Sequence, residues 1–254
     1  MTATTAKVSD WLVHEVDDHD LESFVPVATR FGQNRFGYVV TPNVDHLVRC
    51  HEDPTFMQHY RSADYVLLDS RFAARVLRVV KGVRLRVCTG SDLTLALFSR
   101  VIAPSDRIVL IGGNTDQVLD LQRRFGLRDV RHYNPPMGFI NNAAAVEECL
   151  DFIESNSPFR FCFLAVGSPQ QEALAALLRA RGKARGLALC VGASLNFITG
   201  VEKRAPGWMQ QLSLEWLYRL SRNPTRMANR YLVRGPRFFG YLRRAKFTRR
   251  SAVA

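Results

Sequence analysis

Asp69 is the residue of this sequence best placed to do chemistry. It directly follows a short apolar run, residues 65–68, with the composition of a buried strand. A carboxylate at such a strand end suits a general base that takes a proton from a hydroxyl nucleophile. The same position also suits the N-cap of a helix that begins near Arg71. Position alone favours neither role over the other.

Five other predicted strands also end in small or polar residues. The segments are Thr41-Pro42-Asn43, Thr89-Gly90-Ser91-Asp92, Gly112-Gly113-Asn114, Gly167-Ser168-Pro169-Gln170-Gln171-Glu172 and Gly192-Ala193-Ser194. Glycine allows a close backbone approach, and N–H groups at helix N-termini attract phosphate. One such turn is common in α/β proteins. Several of them at one sheet edge predict a large phosphorylated ligand, such as a nucleotide.

The motifs of two large nucleotide-dependent enzyme classes are missing. The sequence has neither the G-x-G-x-x-G of dinucleotide-binding oxidoreductases nor the G-x-x-x-x-G-K-[ST] of P-loop enzymes. The segment from Gly192 to Asn196 matches only half of a nucleophile elbow, because the second glycine is absent. A nicotinamide-dependent oxidoreductase is therefore disfavoured.

A metal site is not predicted either. No histidine pair has the helical spacing of zinc ligands. The segment Asp18-His19-Asp20 superficially resembles the D-x-D motif that holds a metal in many sugar-nucleotide transferases. It precedes the predicted sheet within an acidic stretch, residues 17–22, and we expect a solvated loop there.

Short apolar runs alternate with amphipathic stretches along the chain. The predicted strands cover residues 37–41, 65–68, 85–88, 107–111, 129–133, 160–166 and 187–191, and the clearest helices cover 92–102, 115–125, 143–154 and 170–181. The strands are continuously apolar rather than alternating, which is typical of a buried parallel sheet. The pattern predicts an α/β, Rossmann-like fold with a mostly parallel sheet and helices on both faces.

The net charge of the chain is confined to its C-terminal part. Residues 203–254 contain 13 Lys and Arg but one acid, Glu215, a net charge of +12, whereas residues 1–202 contain 22 basic and 22 acidic residues. Such a concentration of positive charge requires an anionic partner. A membrane surface, a nucleic acid and a diphosphate substrate all fit. The charge shift predicts two domains, residues 1–202 and a C-terminal helical basic appendage, residues 203–254.

The C-terminal part also has an apolar pattern. Four large residues at helical spacing predict one apolar helix face: Trp208, Leu212, Trp216 and Leu220. Asn223-Pro224 then predicts an N-cap followed by proline at the first helical position. Arginines follow at every fourth residue, on one face of a second helix: Arg226, Arg230 and Arg234. Apolar and aromatic residues lie among the arginines: Tyr231, Phe238, Phe239, Tyr241, Leu242 and Phe247. This mixture favours a membrane interface, and a basic helix packed on the body is the alternative.

The remaining composition predicts a cytoplasmic protein. The sequence has no recognisable signal peptide and no apolar run near the roughly 20 residues of a membrane span. The five cysteines show no C-x-x-C pairing. Cys88, Cys162 and Cys190 lie in strand-like runs, where we expect buried free thiols and hence a reducing compartment.

Several motifs, taken together, carry a resemblance. They are Thr41-Pro42-Asn43-Val44-Asp45-His46, Ala63-Asp64 followed by Asp69, Thr89-Gly90-Ser91-Asp92-Leu93, Gly167-Ser168-Pro169 with Gln171-Glu172, Lys203-Arg204-Ala205-Pro206 with Trp208-Met209, and Leu214-Glu215-Trp216-Leu217-Tyr218-Arg219-Leu220. In this order, from about Gly37 to Phe239, they resemble the WecG/TagA/CpsF family of bacterial glycosyltransferases (glycosyltransferase family 26), in its exopolysaccharide type. No single motif is specific, but the set is.

The resemblance implies an inverting transfer of a sugar from a UDP-sugar to a polyprenyl-diphosphate-linked saccharide. It implies a Rossmann-like catalytic domain, and a C-terminal appendage that docks on the anionic inner face of the bacterial plasma membrane and completes the active site. The protein would then be a peripheral membrane enzyme of exopolysaccharide or cell-surface glycan synthesis. No metal or other cofactor is expected. Family members can self-associate, so a homo-oligomer is compatible with the resemblance.

The resemblance also implies roles for individual residues. Asp69 is the candidate general base. Three residues would lie close to the donor sugar and acceptor: Thr41, Asn43 and Gln171. Six would surround the UDP donor: Gly113, Gly138, Gly167, Gly192, Asn196 and Lys203. Three arginines of the appendage would meet diphosphate or membrane charge: Arg219, Arg226 and Arg230. Bidentate guanidinium contacts suit phosphate oxygens.

Some positions depart from the commonest family pattern. Ser70-Arg71 follows Asp69 where glycine is usual, Gln170 stands where lysine is frequent, and Ala193 and Asn196 replace a second glycine and an aspartate. The donor therefore stays open among UDP-linked glucose, N-acetylmannosamine and N-acetylmannosaminuronic acid. Two alternative functions stay open: a UDP-sugar-binding protein without catalysis, and a nucleic-acid-binding protein that uses the basic segment. The leading hypothesis involves no nucleic acid.

Overall fold

A six-stranded parallel sheet forms the centre of the computed structural model, which describes residues 16–244. The strands are β1 (Phe36–Val40), β2 (Tyr65–Val66), β3 (Arg107–Ile111), β4 (Asp129–Tyr133), β5 (Phe161–Leu164) and β6 (Gly186–Cys190). Their order in space is β2-β1-β6-β5-β3-β4, and every neighbouring pair is parallel. The predicted α/β, Rossmann-like fold is confirmed.

Helices follow the strands at the carboxyl edge of the sheet. Residues 16–202, called the body below, contain α1 (Leu21–Arg30), α2 (Val44–Glu52), α3 (Pro54–Arg61), α4 (Arg71–Lys81), α5 (Gly90–Arg100), α6 (Thr115–Phe125), α7 (Ala143–Ser155), α8 (Gln170–Arg181), α9 (Ser194–Ile198) and a 3₁₀ helix (Phe139–Asn141). The bounds of α6 and α8 are those predicted. Local signals explain α6, because Asn114 forms a capping box with Gln117 and Gly126 ends the helix in the left-handed conformation.

The sheet lies between two helical layers, each with its own apolar core. On one face, α2, α3, α4, α7 and α8 bury side chains such as Leu77 and Leu174. On the other face, α1, α5, α6 and α9 bury side chains such as Phe24 and Leu97. Successive strand residues point to opposite layers, so Val39 belongs to one core and Val40 to the other. Burial on both faces explains the continuous apolar runs of the strands.

The C-terminal residues 203–244, called the appendage below, form short helices. They are α10 (Gly207–Gln211), α11 (Glu215–Arg222), α12 (Pro224–Ala228), a π-helix (Asn229–Arg234) and α13 (Arg237–Arg244). The single apolar face predicted from Trp208 to Leu220 is wrong, because the chain breaks at Ser213, which has φ 63°. Arg75 of α4 stabilises the break by donating to the carbonyl oxygens of Gln211 and Leu212, at 2.8 and 3.0 Å.

The second predicted helix of the appendage is also altered. Pro224 begins α12 as predicted, but the helix widens to a π-helix at Asn229, and the N–H of Gly235 donates to the carbonyl of Arg230 at 3.0 Å. The arginines at every fourth residue therefore do not lie on one face of a regular α-helix, contrary to the prediction. The side chain of Arg226 and all of Phe247 lie outside the described part of the chain.

The last described helix, α13, packs into the body. Phe238 and Leu242 are buried, with exposures of 0% and 1%, in the core that α2 and α4 share. The prediction that these two side chains belong to the aromatic surface among the arginines is wrong, because the body covers them. Phe239 is 49% exposed and remains on the surface.

Two smaller predictions are also wrong. Residues 85–88 form no strand, since Cys88 donates one backbone hydrogen bond, to Leu68, and no ladder follows. The acidic segment predicted as a solvated loop is packed, because the carboxylate of Asp17 accepts the N–H of Val66 at 2.8 Å. The five cysteines are free and buried, as expected of those named.

Candidate active site

A cavity of about 260 Å³ lies between the carboxyl edge of the sheet and the appendage. The body lines it with Asn43, Asp45, Asp69 and Arg71. The appendage lines it with Glu215, Trp216, Arg219, Arg230 and Tyr231. Residues more than 140 positions apart in the sequence therefore meet around one space.

Asp69 lies in the wall of this cavity and is not the N-cap of α4. The N-cap of α4 is Ser70, whose Oγ accepts the N–H of Ala73 at 3.0 Å. The structural alternative for Asp69 is thereby removed. Its carboxylate instead accepts the N–H of Gly90, at the first turn of α5. The side chain is half-buried and faces the space where a ligand would lie.

The surroundings of Asp69 tune its basicity. Burial raises its pKa to about 7, from an ordinary value of 3.8. The Arg219 guanidinium and the Gly90 N–H lower this pKa, while the carboxylates of Glu215 and Asp92 raise it. A carboxylate with a pKa near the working pH both accepts and releases a proton readily, which suits a general base.

Thr41 and Ser194 lie beside Asp69, around Gly90. A Cβ atom at Gly90 would be 3.1 Å from Thr41 Oγ1, 3.5 Å from Ser194 Oγ and 3.6 Å from Asp69 Oδ2. The Thr41 hydroxyl donates to the carbonyl of Cys190 at 3.2 Å and is buried. Three strand ends therefore bring hydroxyl and carboxylate groups together, and Gly90 leaves the room between them. Gly90 and Ser194 lie in strand-end segments visible in the sequence, but the resemblance assigned them no role.

Asn43 and Asp45 form another wall of the cavity. The Asn43 Oδ1 accepts the N–H of Asp45 at 3.1 Å and so caps α2. The buried Asp45 carboxylate lies within 4 Å of three guanidinium groups: Arg49 at 3.3 Å, Arg234 at 3.6 Å and Arg230 at 3.9 Å. One negative charge faces three positive charges, so this wall retains positive charge for an anionic group.

Gln171 holds two strand ends together. Its Oε1 accepts the N–H of Gly192 at 2.8 Å, and its Nε2 donates to the buried carboxylate of Glu172 at 2.9 Å. Burial raises the pKa of Glu172. Both ends of the Gln171 amide are engaged, so this residue shapes the loop at Gly192 in the described structure.

Gly113 and Asn196 belong to a second polar group at the carboxyl edge. Gln117 donates to Asn196 Oδ1 at 2.9 Å and to Thr199 Oγ1 at 3.1 Å. Asn196 in turn donates to Glu202 at 3.1 Å. A Cβ atom at Gly113 would be 3.1 Å from the Gln117 amide oxygen, so the glycine accommodates this network. The network gives Asn196 an internal role at the position where the family pattern has an aspartate.

Nine of the thirteen predicted site residues contribute no described side chain to the lining of the cavity: Thr41, Gln171, Gly113, Gly138, Gly167, Gly192, Asn196, Lys203 and Arg226. Gly138 and Gly167 have φ angles of 76° and 78°, with open space beside each of them. The backbone of these two turns is open to close approach by a phosphate group, at positions outside the cavity. Lys203 is exposed, whereas its neighbour Arg204 is drawn in to Asp92 at 2.7 Å. Arg226 is among the nine because its side chain is outside the described part of the chain.

Arg219 and Arg230 line the cavity and bring positive charge to it. The Arg219 guanidinium lies over the Phe197 ring at 5.3 Å, and that of Arg230 lies 5.7 Å from the Tyr231 ring. Such contacts fix a guanidinium without neutralising it. The appendage therefore presents Arg219 toward Asp69 and Arg230 toward Asp45.

Arg71 and Glu215 are site residues that the resemblance did not assign. Arg71 belongs to the departure from the family pattern, and Glu215 is the single acid among residues 203–254. These signals singled them out, but nothing in the sequence showed that their side chains meet, at 2.6 Å.

The aspartates of the D-x-D-like segment have structural partners. Asp18 accepts the N–H of Arg86 at 3.0 Å, and Asp20 caps α1 through the N–H of Ser23 at 2.9 Å. Among residues 16–244, His, Cys, Asp and Glu side chains form no group of three that could hold a metal. Within the same range, none of the helices combines the length and apolar character needed to cross a bilayer.

Comparison with known proteins shows the family of this chain. The model of the WecG/TagA/CpsF glycosyl transferase family matches residues 10–252. The chain is similar to the N-acetylglucosaminyldiphosphoundecaprenol N-acetyl-beta-D-mannosaminyltransferase of Bacillus spizizenii strain W23. The two are 27% identical over 216 residues, which cover 82% of this chain and 81% of the relative. Because the family match spans nearly the whole chain, the protein belongs to the WecG/TagA/CpsF family of glycosyltransferases and is a hexosyltransferase.

Proposed function

We propose that this protein transfers a sugar from a UDP-sugar to a polyprenyl-diphosphate-linked saccharide, with inversion at the anomeric carbon. The observation that carries the proposal is Asp69, a carboxylate with a pKa of about 7 in a cavity that Arg219 and Arg230 also line. A base beside oriented cations suits attack by a hydroxyl and departure of a diphosphate.

Asp69 performs the proton transfer in this proposal. Its carboxylate takes the proton of the acceptor hydroxyl as that oxygen attacks the anomeric carbon of the donor. The new C–O bond forms while the bond between the anomeric carbon and the UDP oxygen breaks. The electron pair leaves with UDP, and a single displacement inverts the anomeric centre. Asn43, which lines the same cavity, and Thr41, whose hydroxyl lies beside Gly90 near Asp69, position the reacting sugars.

The diphosphates are held by positive charge from the protein. Arg219 and Arg230 of the appendage, with the surplus charge around Asp45, face anionic oxygens of acceptor or donor. The turns at Gly113, Gly167 and Gly192 allow close backbone approach by the UDP moiety. Lys203 and Arg226 remain proposed contacts of the donor and of the diphosphate or membrane. The reaction is proposed to need no metal, because guanidinium groups stabilise the leaving group instead.

The acceptor class is supported by the relative. The name of the Bacillus protein specifies N-acetylglucosaminyldiphosphoundecaprenol and an N-acetyl-β-D-mannosaminyl group. We extend the acceptor class, a polyprenyl diphosphate sugar, to this chain. The donor is one of UDP-glucose, UDP-N-acetylmannosamine and UDP-N-acetylmannosaminuronic acid, and the product belongs to an exopolysaccharide or another cell-surface glycan.

The appendage is proposed to dock on the anionic cytoplasmic face of the plasma membrane. Five of its large apolar side chains are about half exposed: Trp208, Leu212, Leu232, Val233 and Phe239. Basic residues surround them in the sequence, and apolar groups flanked by arginines suit a lipid headgroup region. This arrangement would bring the cavity to a lipid-linked acceptor. The appendage therefore is proposed as a second functional domain, and the enzyme as a peripheral membrane protein.

A transfer assay tests the proposal. Purified full-length protein is incubated with a short-chain lipid-diphosphate sugar and each UDP-sugar, with and without EDTA, beside Asp69→Asn as the matched control. We expect transfer from one donor that resists EDTA and is lost in the variant. UDP binding without product from any donor would favour a sugar-nucleotide-binding protein. Salt-sensitive DNA binding without UDP affinity would favour a nucleic-acid-binding protein.

A further inference from the structure

Arg71 joins the body to the appendage with one guanidinium group. Its Nη2 lies 3.2 Å from Asp92 Oδ2 on α5, and its Nη1 lies 2.6 Å from Glu215 Oε1 on α11. Glu215 is the sole acid of residues 203–254. We call the three side chains Arg71, Asp92 and Glu215 the clasp. The clasp uses the single negative charge of a strongly basic segment.

The body end of the clasp is firmly held. Asp92 accepts the Thr89 hydroxyl of the body at 2.8 Å and pairs with Arg204, at the start of the appendage, at 2.7 Å. Although burial raises the pKa of Asp92, the bonds from Arg204 and Thr89 hold it below its ordinary value, so the carboxylate is ionised at neutral pH. Arg71 is therefore anchored on one side by the ionised Asp92 and on the other side contacts Glu215 of the appendage.

The appendage end of the clasp sets the position of Arg219. Glu215 begins α11, and Arg219 follows four residues later on the same side of the helix. Arg219 lines the cavity with Asp69. Holding Glu215 thus holds the first turn of α11, and with it the guanidinium opposite the candidate base.

The charges of two clasp residues, Glu215 and Asp92, act on Asp69. The charged groups that act on it are Arg219 and Glu215 from α11 and Asp92 from α5, and the buried Cys88 thiol lies close by. The cavity wall adds Arg71 from α4 and Arg230 from the π-helix. Withdrawal of α11 would admit water to Asp69, and burial is the largest cause of its raised pKa.

We propose that Arg71 is a positioning residue that acts through Glu215, holding α11 over the cavity so that Arg219 faces Asp69 and water is excluded. This inference rests on the proposed function, since it concerns the same site. It also gives a role to the arginine that departs from the usual pattern after the aspartate. The contrary role would be direct contact of Arg71 with a substrate diphosphate.

Hydrogen exchange tests the clasp with a measurement that does not depend on transfer activity. Amide exchange of residues 215–222 is measured by mass spectrometry in the full-length protein and in Arg71→Ala, Glu215→Gln and Arg78→Ala. Arg78 is an exposed arginine on the same helix and serves as the matched control. We expect about tenfold faster exchange of α11 in the first two variants, and no change in the control or in the β3 and β5 peptides. Unchanged exchange of α11 in both clasp variants would overturn the proposal, whether or not transfer activity is found.

Transfer kinetics of variants of Arg71 and Glu215 distinguish a positioning role of Arg71 from direct contact with the substrate. If Arg71 acts through Glu215, each single variant lowers kcat about 10- to 100-fold, and the double variant is no worse than the worse single one. The acid limb of the pH–rate profile should move below pH 7 in all three. Arg71→Lys, which keeps the charge but lacks the planar fork, should recover only part of kcat. Direct contact would instead make the kcat loss of the double variant the product of the two single losses. It would also raise the KM for the acceptor and leave the acid limb of the pH–rate profile unmoved, and this result would overturn the proposal.

Discussion

The body and the appendage are held in place by different forces. In the body, strands such as β3 and β5 are buried between two helical layers, so apolar packing fixes their positions. In the appendage, Phe238 and Leu242 enter that core, but the elements that line the cavity are fastened by charge. Glu215 pairs with Arg71, and Arg234 lies near Asp45. Geometry fixed by apolar packing is not weakened by electrostatic screening, whereas ion pairs respond to salt and to loss of one partner.

The candidate site is likewise divided between the body and the appendage. The body contributes Asp69, whose position follows from the end of β2 and the start of α4. The appendage contributes Arg219 and Arg230, whose positions depend on the clasp and on Asp45. The base is therefore fixed by the packing of the body, whereas the two arginines belong to an element that ion pairs hold in place.

The largest effect is expected from removal of the base on the body side. Asp69→Asn keeps the shape of the side chain but cannot accept the proton, so kcat should fall by about 10³-fold. Binding of UDP should change less than about threefold, because the cations and glycine turns remain. Transfer assays and calorimetry with UDP measure the two quantities. Retained turnover would remove Asp69 as the base.

Two neighbouring phenylalanines of α13 separate packing from exposure within the appendage. Phe238 is fully buried and Phe239 is 49% exposed. Phe238→Ala should lower the free energy of unfolding by about 3–5 kcal/mol, because it leaves a cavity in the body core. Phe239→Ala should cost about 1 kcal/mol or less. Urea unfolding measures both, and equal small losses would show that α13 does not share the core of the body.

Membrane binding should distinguish exposed apolar residues of the two regions. Trp208→Ser with Leu212→Ser removes two exposed side chains of the appendage, and Val79→Ser with Val80→Ser removes two from α4 of the body. The appendage pair should weaken sedimentation with anionic vesicles about tenfold, because buried apolar area is lost at the lipid surface. The body pair should leave binding unchanged. Equal losses would place the docking surface elsewhere than on the appendage alone.

A smaller effect on stability follows from the raised pKa of Asp69. The folded state holds its proton up to about pH 7, whereas the unfolded chain releases it near pH 4. Stability from the neutral form is therefore complete below about pH 4 and is lost as pH rises through about 7. Asp69→Asn, which cannot ionise, should raise Tm more at pH 8 than at pH 5, by about 2–4 °C for each kcal/mol recovered.

Calorimetric melting at the two pH values measures this effect. Asp116→Asn is the matched control, since Asp116 is exposed in the first turn of α6. It should not reproduce the pH-dependent gain. A gain for Asp69→Asn that is the same at pH 5 and pH 8 would contradict the raised pKa.

The sequence predicted the body well because its signals are local. Continuous apolar runs identified buried strands such as β3 and β5, and the amphipathic pattern of residues 115–125 identified α6, whose ends are capped by Asn114 and Gly126. The rule that ligands bind at the carboxyl edge of a parallel sheet placed Thr41 and Asp69 in one neighbourhood. The strand predicted at 85–88 failed because apolar character there reflects packing against the core, without a partner ladder.

The appendage was predicted less well because tertiary contacts override its local pattern. The spacing from Trp208 to Leu220 is helical, but Arg75 captures two carbonyl groups and the chain turns at Ser213. The pairing of Arg71 with Glu215 joins residues 144 positions apart, and no periodicity predicts such a contact. The N-cap alternative for Asp69 was likewise decided only by the structure, which gives that role to Ser70.

The pH dependence of transfer by the unmodified enzyme tests the role of Asp69 as the base most directly. Single-turnover rates are measured from pH 5 to pH 9 with saturating UDP-sugar and lipid-diphosphate acceptor. We expect a rate that rises with pH through a midpoint near 7, because Asp69 must be ionised to accept the proton. A rate that is already at its maximum at pH 5, with no acid limb near 7, would contradict a base whose strength is set by its buried position beneath the appendage.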